Sequence, residues 1–277
     1  HDTMPLIFTK EYPVGIKGKI NFYFQKRALK KCKEIITVSS YSQKDIIKYL
    51  KTPKEKITII QEAASDFFKI LPDSEKISIK RKYKLPDQFL LYVGDANFVK
   101  NLPFLIDGFK IIKDKFPLLK LVLVGEVFLK NLNNIDHPEL KSLKEVFQKI
   151  DKYNLNEDIL RPGHINSKDL VGFYNLATIY IQPSLYEGFG LPLLEAFACG
   201  VPVMASNVSS LPEVGGNAAL YFDPNDINQF TGELEELLQD RSLQKKFSKL
   251  SLQRTKLFTW KGVADETIKV YKKAINK

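Results

Sequence analysis

Two glutamates, Glu187 and Glu195, flank a short glycine-containing loop that leads into an apolar helical segment. Gly188 and Gly190 permit backbone angles that other residues avoid, and Pro192 suits the first turn of a helix. The free amides and the positive helix end would form a site for an anion such as a diphosphate. Because a carboxylate accepts two hydrogen bonds at once, we expect Glu195 to bind both hydroxyls of a ribose and Glu187 to face a sugar.

Other polar segments also follow apolar runs that are typical of strands. The segment DANFVKN follows FLLYVG, EVF follows LKLVLVG, and the glutamate loop follows ATIYIQPS. Ligands of open parallel sheets bind beyond the carboxyl ends of the strands. The sequence therefore predicts the ligand site at that edge of the sheet.

Strand and helix patterns alternate along almost the whole chain, which predicts an α/β fold with helices on both faces of a parallel sheet. Six strands and interleaved helices make a doubly wound, Rossmann-like domain. Its strand segments include FLLYVG, LKLVLVG, DILRPGHI, ATIYIQPS and VPVMAS, and Gly200 closes the helix of PLLEAFACG. A final helix is expected from Trp260 to Ile275.

The domain boundaries follow from where this alternation is interrupted. Residues 1–62 contain two strand segments, EIITVSS and KITIIQEA, around a helix capped by Ser40 or Ser42. Two strands cannot bury both faces of a sheet, so we expect residues 1–62 to be the remnant of a domain whose earlier part is missing. Residues 63–87 are expected to link it to a complete domain at 88–258, followed by a helix within 259–277.

The pair Glu187 and Glu195, spaced as E-x7-E around GFGLP, resembles the signature of glycosyltransferase family 4 (group 1). The likeness continues through ACGVPVMASNVSSLPEVGGNAALYFDPND, ITVSSYSQKDI, LYVGDANFVKNLPFLIDGF and RPGHINSKDLVGFYNLATIYIQPS. It covers nearly the whole chain, and the order and spacing of the motifs carry it. It implies the GT-B fold of retaining enzymes, with a complete Rossmann-like donor domain, part of a truncated acceptor-side domain and a C-terminal crossover helix.

The resemblance also assigns site residues. It implies that Lys100 contacts the diphosphate, where its charge would stabilise the departing phosphate, and that His1 lies close to the transferred sugar. Catalytic roles are thereby expected for His1, Glu187 and Lys100. Donor-binding residues are expected at Gly94, Lys100, Gly163, His164, Ile165, Glu187, Gly188, Phe189, Gly190, Leu191 and Glu195.

One position departs from the family pattern. Many members carry an arginine directly after VG, where this chain has Asp95. Arg161 is one substitute for that cation, or else a surface residue. Glu213, in SSLPEVGG, either braces the following loop or contacts ligand.

The activity implied is transfer of a hexose, with mannose preferred, from a nucleotide diphosphate sugar to a hydroxyl of a glycan or lipid-linked acceptor. GDP-, UDP- and ADP-linked donors all stay open, as does a role in lipopolysaccharide or other surface-glycan assembly. No cofactor and no metal are expected, because helix amides and Lys100 would take the place of a cation. Two alternatives are a nucleotide-binding fragment without catalysis and a nicotinamide-dependent oxidoreductase, the latter because GFGLPL begins like G-x-G-x-x-G.

The formal net charge of +10 is concentrated near the start of the chain, where residues 1–60 hold 13 Lys or Arg and 5 Asp or Glu. Apolar residues from Phe22 to Ile36 recur at helical spacing opposite lysines, which predicts an amphipathic basic helix. It is either a surface helix packed on the core or one that also contacts anionic lipid. Nucleic acid is not an expected partner, because RNA-binding signatures and zinc spacings are absent from the sequence.

The two cysteines, Cys32 and Cys199, lie in segments typical of buried helix and suggest neither a disulfide framework nor a metal cluster. His137 and His164 have no partners at metal-ligand spacing. No run approaches the roughly 18 apolar residues of a spanning helix. A cytoplasmic protein is therefore expected, with peripheral contact at the inner face of the membrane as the variant.

Overall fold

The computed structural model describes residues 3–130 and 140–276. The strands are β1 (Ile35–Thr37), β2 (Ile57–Ile59), β3 (Phe89–Val93), β4 (Lys120–Val124), β5 (Ile159–Gly163), β6 (Ile179–Gln182), β7 (Val203–Ser206) and β8 (Ala219–Phe222). The helices are α1 (Met4–Ile7), α2 (Ile16–Lys31), α3 (Ser40–Leu50), α4 (Asp73–Tyr83), α5 (Leu102–Lys115), α6 (Lys141–Lys152), α7 (Ser167–Leu176), α8 (Leu191–Ala198), α9 (Leu211–Gly215), α10 (Ile227–Gln239), α11 (Arg241–Thr255) and α12 (Trp260–Ile275). Short 3-10 turns cover Lys54–Lys56, Phe98–Lys100 and Glu126–Leu129.

The larger sheet is parallel and has the order β5-β4-β3-β6-β7-β8. Its first strand in the chain, β3, lies in the middle, with β4 on one side and β6 on the other. Strands β4 and β5 are added on one side of β3, and β6, β7 and β8 on the other, so the strand order switches sides between β3 and β6. Loops leaving the carboxyl ends of two such strands diverge, which opens a crevice for a ligand. The α/β class and the doubly wound sheet predicted from the sequence are confirmed, and β8 is a strand that no predicted segment contained.

Both faces of this sheet are buried, since alternate residues of each strand point to opposite sides. Phe89 and Leu91 of β3 lie in one core cluster with residues of α4, α7 and α8. Leu90 and Tyr92 lie in the other, with residues of α5, α6 and α10. All four side chains are fully buried. Burial on both faces explains why these strands are continuous apolar runs in the sequence.

A second sheet pairs β1 and β2 in parallel, with Ile35 opposite Ile57. Ser39 caps α3 by accepting a hydrogen bond from the Ser42 amide, so the prediction of Ser40 or Ser42 as the cap was wrong. A cavity of about 960 Å³ lies among α1, α2, β1 and α3, and its lining includes Phe22 and Leu29. Its lining includes Ser42 but neither Glu187 nor Glu195.

The basic helix is real but shorter than its apolar pattern suggested. It ends at Lys31, and Ile36 belongs to β1, where strand pairing outweighs the helical spacing. Cys32 is exposed at the helix end, against the expectation of a buried residue, whereas Cys199 is buried at the end of α8. Gly200 follows Cys199 with φ of 69° and closes α8 as predicted.

Helix α4, which precedes the larger sheet in the chain, and α12, the last helix, both contact other elements. Helix α4, within 63–87, packs on α7: Ile79 contacts Gly172, and Tyr83 donates a hydrogen bond to Asp169. At the other end, Lys273 of α12 pairs with Glu34 beside β1, at 2.9 Å. The terminal helix thus reaches back to the smaller sheet.

Candidate active site

Lys100 and Glu187 meet at the crevice between β3 and β6. Lys100 ends the 3-10 turn after β3, and Glu187 follows β6, so the strand order brings two distant segments together. Lys100 Nζ donates to Glu187 Oε1 at 2.7 Å, and the two side chains are 19% and 11% exposed. Partial burial strengthens such a charge pair relative to one in bulk water. A cation and a carboxylate therefore lie together where the sheet leaves room for a ligand.

Glu187 is held by further donors on the same oxygen. Gln182 Nε2 donates to Glu187 Oε1 at 2.6 Å, and Ser184 Oγ donates to it at 2.7 Å. No described residue donates to Oε2. The carboxylate is therefore fixed through one oxygen, while the other stays available to a ligand hydroxyl.

The loop that follows Glu187 is tied down through its carbonyls. Ser210 Oγ donates to the carbonyls of Glu187 and Phe189, at 2.9 and 2.8 Å. Ser39 and Ser42, from the start of α3, donate to the Gly188 carbonyl at 2.7 and 3.0 Å. The amides of residues 188–191 make no hydrogen bond to any described residue. These free donors at the start of α8 suit an anionic oxygen.

Gly190 makes this geometry possible, because it caps α8 with φ of 104°. That angle is strained for any residue with a Cβ, whereas glycine adopts it freely. Pro192 follows in the first turn, where its missing amide proton costs no helical hydrogen bond. The Phe189 ring instead packs inward, 6.2 Å from that of Phe258, so Phe189 contributes its backbone to the loop.

Glu195 lies one turn into α8, and its carboxylate is largely buried. Tyr174 of α7 donates a hydrogen bond to Glu195 Oε2 at 2.8 Å. Burial raises the pKa of Glu195 above its usual value, and the Tyr174 hydrogen bond opposes that rise. The same burial, together with the charge of Glu195, raises the pKa of Cys199 to about 12. No described residue donates to Glu195 Oε1, which leaves it open to a ligand.

Three glycines, Gly94, Gly125 and Gly163, lie at the carboxyl ends of β3, β4 and β5. The Gly94 amide donates to Val124 O at 3.0 Å, and the Gly125 amide donates to Gly163 O at 3.1 Å. A Cβ on Gly125 would lie 2.3 Å from the Gly94 carbonyl oxygen, so this close approach requires glycine. Gly94 and Gly163 are among the donor-binding residues predicted from the sequence, whereas Gly125 is not. Its position directly after a strand, in VGEVF, was the available signal.

Three more of the predicted donor-binding residues follow β5 or begin α8. His164 is exposed next to Gly163, while Ile165 is buried in the core. Leu191, the first residue of α8, is partly exposed. His164 is thus accessible directly after β5, and Leu191 is partly accessible at the start of α8.

The cation expected in place of the missing arginine is not found at Arg161. Its guanidinium lies over the Phe147 ring of α6, 5.1 Å from the ring centroid, and donates to Asn156 at 3.5 Å. No described contact joins it to Lys100 or Glu187. Asp95 is exposed and accepts a hydrogen bond from the neighbouring Ala96 amide at 2.7 Å.

Glu213 braces the region between the two sheets. Its carboxylate accepts from the Ser40 amide at 2.9 and 3.0 Å, from Ser40 Oγ at 3.1 Å and from Gln61 Nε2 at 3.0 Å. Arg254 donates to the Glu213 carbonyl at 2.7 Å. Of the two roles left open for this residue, the contacts are those of a brace.

His1 and His137 lie outside the described residues. Within residues 3–130 and 140–276, no three His, Cys, Asp or Glu side chains are grouped as a metal site would require. The metal-free mechanism stays a prediction.

A comparison with protein families matches residues 73–254 to the family described as "Glycosyl transferases group 1". The match covers more than half of the chain and contains Lys100, Glu187 and Glu195. The chain belongs to the group 1 glycosyltransferases. This membership confirms the family resemblance of the motifs. It also leaves the oxidoreductase alternative unsupported, because GFGLPL follows β6 and not the first strand of the domain.

Relatives of this group 1 glycosyltransferase include two mannosyltransferases of Escherichia coli. O-antigen chain mannosyltransferase B is 32% identical over 250 residues, which are 88% of this chain and 62% of that protein. Serotype-specific mannosyltransferase WbdA is 30% identical over 272 residues, which are 95% of this chain and 32% of that protein. The chain therefore spans less than two thirds of the length of either relative.

Solved structures share the fold of this group 1 glycosyltransferase. Sucrose-phosphate synthase from Thermosynechococcus elongatus has a TM-score of 0.79 and 22% identity, over 100% of this chain and 67% of that one. Anabaena HepE, in complex with UDP and glucose, has a TM-score of 0.76 and 16% identity, over 87% and 63%. The fold is GT-B, as the motifs implied.

Proposed function

We propose that this protein is a retaining hexosyltransferase that transfers mannose from a nucleotide diphosphate sugar to a hydroxyl of a glycan or lipid-linked acceptor. The observation that carries the proposal is the Lys100–Glu187 contact beside the free amides of residues 188–191, with Glu195 one helical turn further on. These groups match the parts of such a donor, namely a diphosphate, a sugar and a ribose.

In this mechanism, Lys100 and the loop amides bind the diphosphate and stabilise the negative charge that develops as the bond to the sugar breaks. Glu195 accepts hydrogen bonds from the ribose hydroxyls through Oε1. Glu187 orients the sugar through Oε2, because its other oxygen already has three donors. The backbone of residues 163–165 faces the base, and His1 acts near the sugar on the acceptor side. Protein groups supply all of this stabilisation, so the proposed mechanism uses no metal.

The choice of sugar rests on the relatives. Both Escherichia coli proteins are named mannosyltransferases, and the name of one of them refers to the O-antigen chain. A guanosine diphosphate donor and a role in polysaccharide or lipopolysaccharide assembly fit that naming. HepE, which shares the fold alone, is in complex with UDP, so the base requires a direct test.

The test is calorimetric titration of the full chain with uridine, guanosine and adenosine diphosphates. We expect one of them to bind, and the matching nucleotide mannose to be hydrolysed or transferred to a mannose oligosaccharide with the anomeric configuration retained. Binding without any turnover would favour the alternative of a nucleotide-binding fragment. If a folded chain binds none of the three, the proposed donor site is wrong.

We further propose a cytoplasmic protein that contacts the inner face of the membrane through α2. No helix in the described part of the chain is long and apolar enough to cross a bilayer. Ile20, Tyr23 and Phe24 are 52%, 55% and 62% exposed on α2, among lysines that would attract anionic lipid. We expect co-sedimentation with vesicles containing anionic lipid and none with neutral vesicles. Equal absence from both would reject this contact.

A further inference from the structure

Two tyrosines with fully buried side chains lie beneath the loop that follows Glu187. Tyr174 belongs to α7 and Tyr180 to β6, and their ring centroids are 5.5 Å apart. A buried hydroxyl is costly unless it makes a hydrogen bond, so each phenol needs a partner. Tyr174 donates directly to Glu195, whereas Tyr180 donates to the side-chain carbonyl of Gln182.

The first of these hydrogen bonds fixes the ribose-binding carboxylate. Glu195 Oε2 is taken by Tyr174 at 2.8 Å, so the carboxylate cannot rotate without losing that bond. Oε1 is then the oxygen presented to a ligand. Burial raises the pKa of Tyr174 well above 10, as does the nearby charge of Glu195. The phenol therefore stays protonated, and so remains a donor, at neutral pH.

The second hydrogen bond acts through an amide. Tyr180 and Gln182 are two residues apart on β6, so their side chains share one face of the sheet. Glu187 can only accept, so it takes the hydrogen bond from Gln182 Nε2 at 2.6 Å, and Gln182 Oε1 points the other way and accepts from Tyr180. Gln182 Nε2 also donates to Ser184 Oγ at 3.1 Å. Without the phenol, the buried Gln182 Oε1 loses its donor, and the amide loses the contact that holds its far end. Tyr180 thus fixes the position of the Gln182 amide.

We propose that Tyr174 and Tyr180 are positioning residues that act on separate parts of the donor, Tyr174 on the nucleotide through Glu195 and Tyr180 on the sugar through Gln182 and Glu187. This inference rests on the proposed function, since it takes Glu195 and Glu187 as the ribose and sugar contacts. It predicts that two neighbouring phenols have separable effects.

The experiment compares Tyr174→Phe and Tyr180→Phe in the full chain by titration with two ligands. The first is the nucleoside diphosphate that binds best, and the second is the mannose conjugate of that same nucleoside diphosphate. Tyr174→Phe should weaken both ligands by about tenfold, because it removes a hydrogen bond to a charged group. Tyr180→Phe should leave the nucleoside diphosphate unchanged and lower, by about tenfold, only the extra affinity that the sugar contributes. Tyr153→Phe, which removes a tyrosine–carboxylate hydrogen bond to Asp107 on α5, is the matched control and should change neither.

Two further measurements distinguish positioning from a structural role. Since the Tyr174 hydrogen bond lowers the pKa of Glu195, Tyr174→Phe should move the acid limb of nucleotide binding to higher pH. In a double-mutant cycle, Tyr180→Phe should add nothing to Gln182→Met, because Tyr180 acts only through that amide. Additive effects, or equal losses for both ligands in both variants, would overturn the proposal.

The matching carboxylate variants separate this inference from the proposed function. If Glu195→Gln and Glu187→Gln bind both ligands like the wild type, the proposed function has failed. If those variants lose affinity while the two phenylalanine variants do not, only the positioning inference has failed. Melting temperatures of all the variants show whether each protein is folded.

Discussion

Lys100 Nζ lies 2.7 Å from Glu187 Oε1, although the two residues are 87 positions apart in the chain. Without a ligand, each side chain neutralises the other in a partly buried crevice. An incoming diphosphate would offer Lys100 a stronger anionic partner, while Gln182 and Ser184 keep Glu187 in place. The proposed donor site is therefore built before the ligand arrives, which reduces the cost of ordering these side chains on binding.

Replacing Lys100 by alanine should weaken the nucleoside diphosphate much more than the monophosphate. A hydrogen bond to a charged group contributes about 1.5–3 kcal/mol, so the diphosphate should lose about tenfold to a hundredfold in affinity. Calorimetry of Lys100→Ala with both ligands checks this. Lys110→Ala, which breaks only an exposed pair with Asp114, is the control. Equal losses for both nucleotides would place Lys100 away from the second phosphate.

Glu195 should make nucleotide binding sensitive to acid. Burial raises the pKa of Glu195, so the carboxylate becomes protonated, and loses acceptor strength, at a higher pH than an exposed glutamate would. We expect nucleoside diphosphate affinity to fall as pH drops through this raised pKa, and Glu195→Gln to abolish that limb with about tenfold weaker binding. Inorganic pyrophosphate has no ribose, so its own pH dependence should be the same for the wild type and for Glu195→Gln. A difference between the two proteins with pyrophosphate would mean that Glu195 does not act through the ribose.

The raised pKa of Glu195 also makes the stability of the folded protein depend on pH. Because the folded-state pKa of Glu195 is raised above the unfolded value, the unfolded chain ionises first as pH rises, and stability is lost through that range. Glu195→Gln avoids the buried charge and still accepts the Tyr174 hydrogen bond. Its melting temperature at neutral pH should therefore be equal to or above that of the wild type. A large decrease would show that the charge itself stabilises the fold.

Gly125→Ala should destabilise the protein, since the new Cβ would lie 2.3 Å from a backbone oxygen that cannot move freely. Overpacking of this kind costs about 1–3 kcal/mol. The exposed Gly232 in α10 has open space around its Cβ position, and alanine there should stabilise by about 0.5–1 kcal/mol through helix propensity. Denaturant unfolding of both variants checks the opposite signs. An unchanged stability in Gly125→Ala would mean that the strand edge relaxes.

Asp169 should make the docking of α4 on α7 sensitive to acid. The hydrogen bond from Lys82 and that from Tyr83 lower the pKa of Asp169 below 3.8. A carboxylate with a depressed folded-state pKa stabilises the fold above its unfolded pKa, and that contribution is lost as pH falls below about 4. Asp169→Asn should therefore be less stable than the wild type at neutral pH, by about 1 kcal/mol or less because Lys82 is exposed, and the two should converge in acid. Melting temperatures of both proteins, measured from pH 7 to about pH 3, would show whether their stabilities converge.

The sequence by itself determined the fold class and selected candidate residues for the site. Continuous apolar runs mark strands buried on both faces, and the glycines around Phe189 mark a turn into a helix. The E-x7-E spacing and the GFGLP loop selected Glu187, Gly190 and Glu195 because their roles depend on local geometry, which neighbouring residues set.

The tertiary structure decided which distant residues meet. Whether Lys100 contacts Glu187 depends on β3 and β6 being neighbours, and strand order is a property of the whole sheet. The serines that hold the Gly188 carbonyl, and the phenols of Tyr174 and Tyr180, carry no local signal because buried tyrosines and capping serines are common in any α/β domain. Hydrogen bonds between segments about 150 residues apart become visible only when packing has fixed both partners.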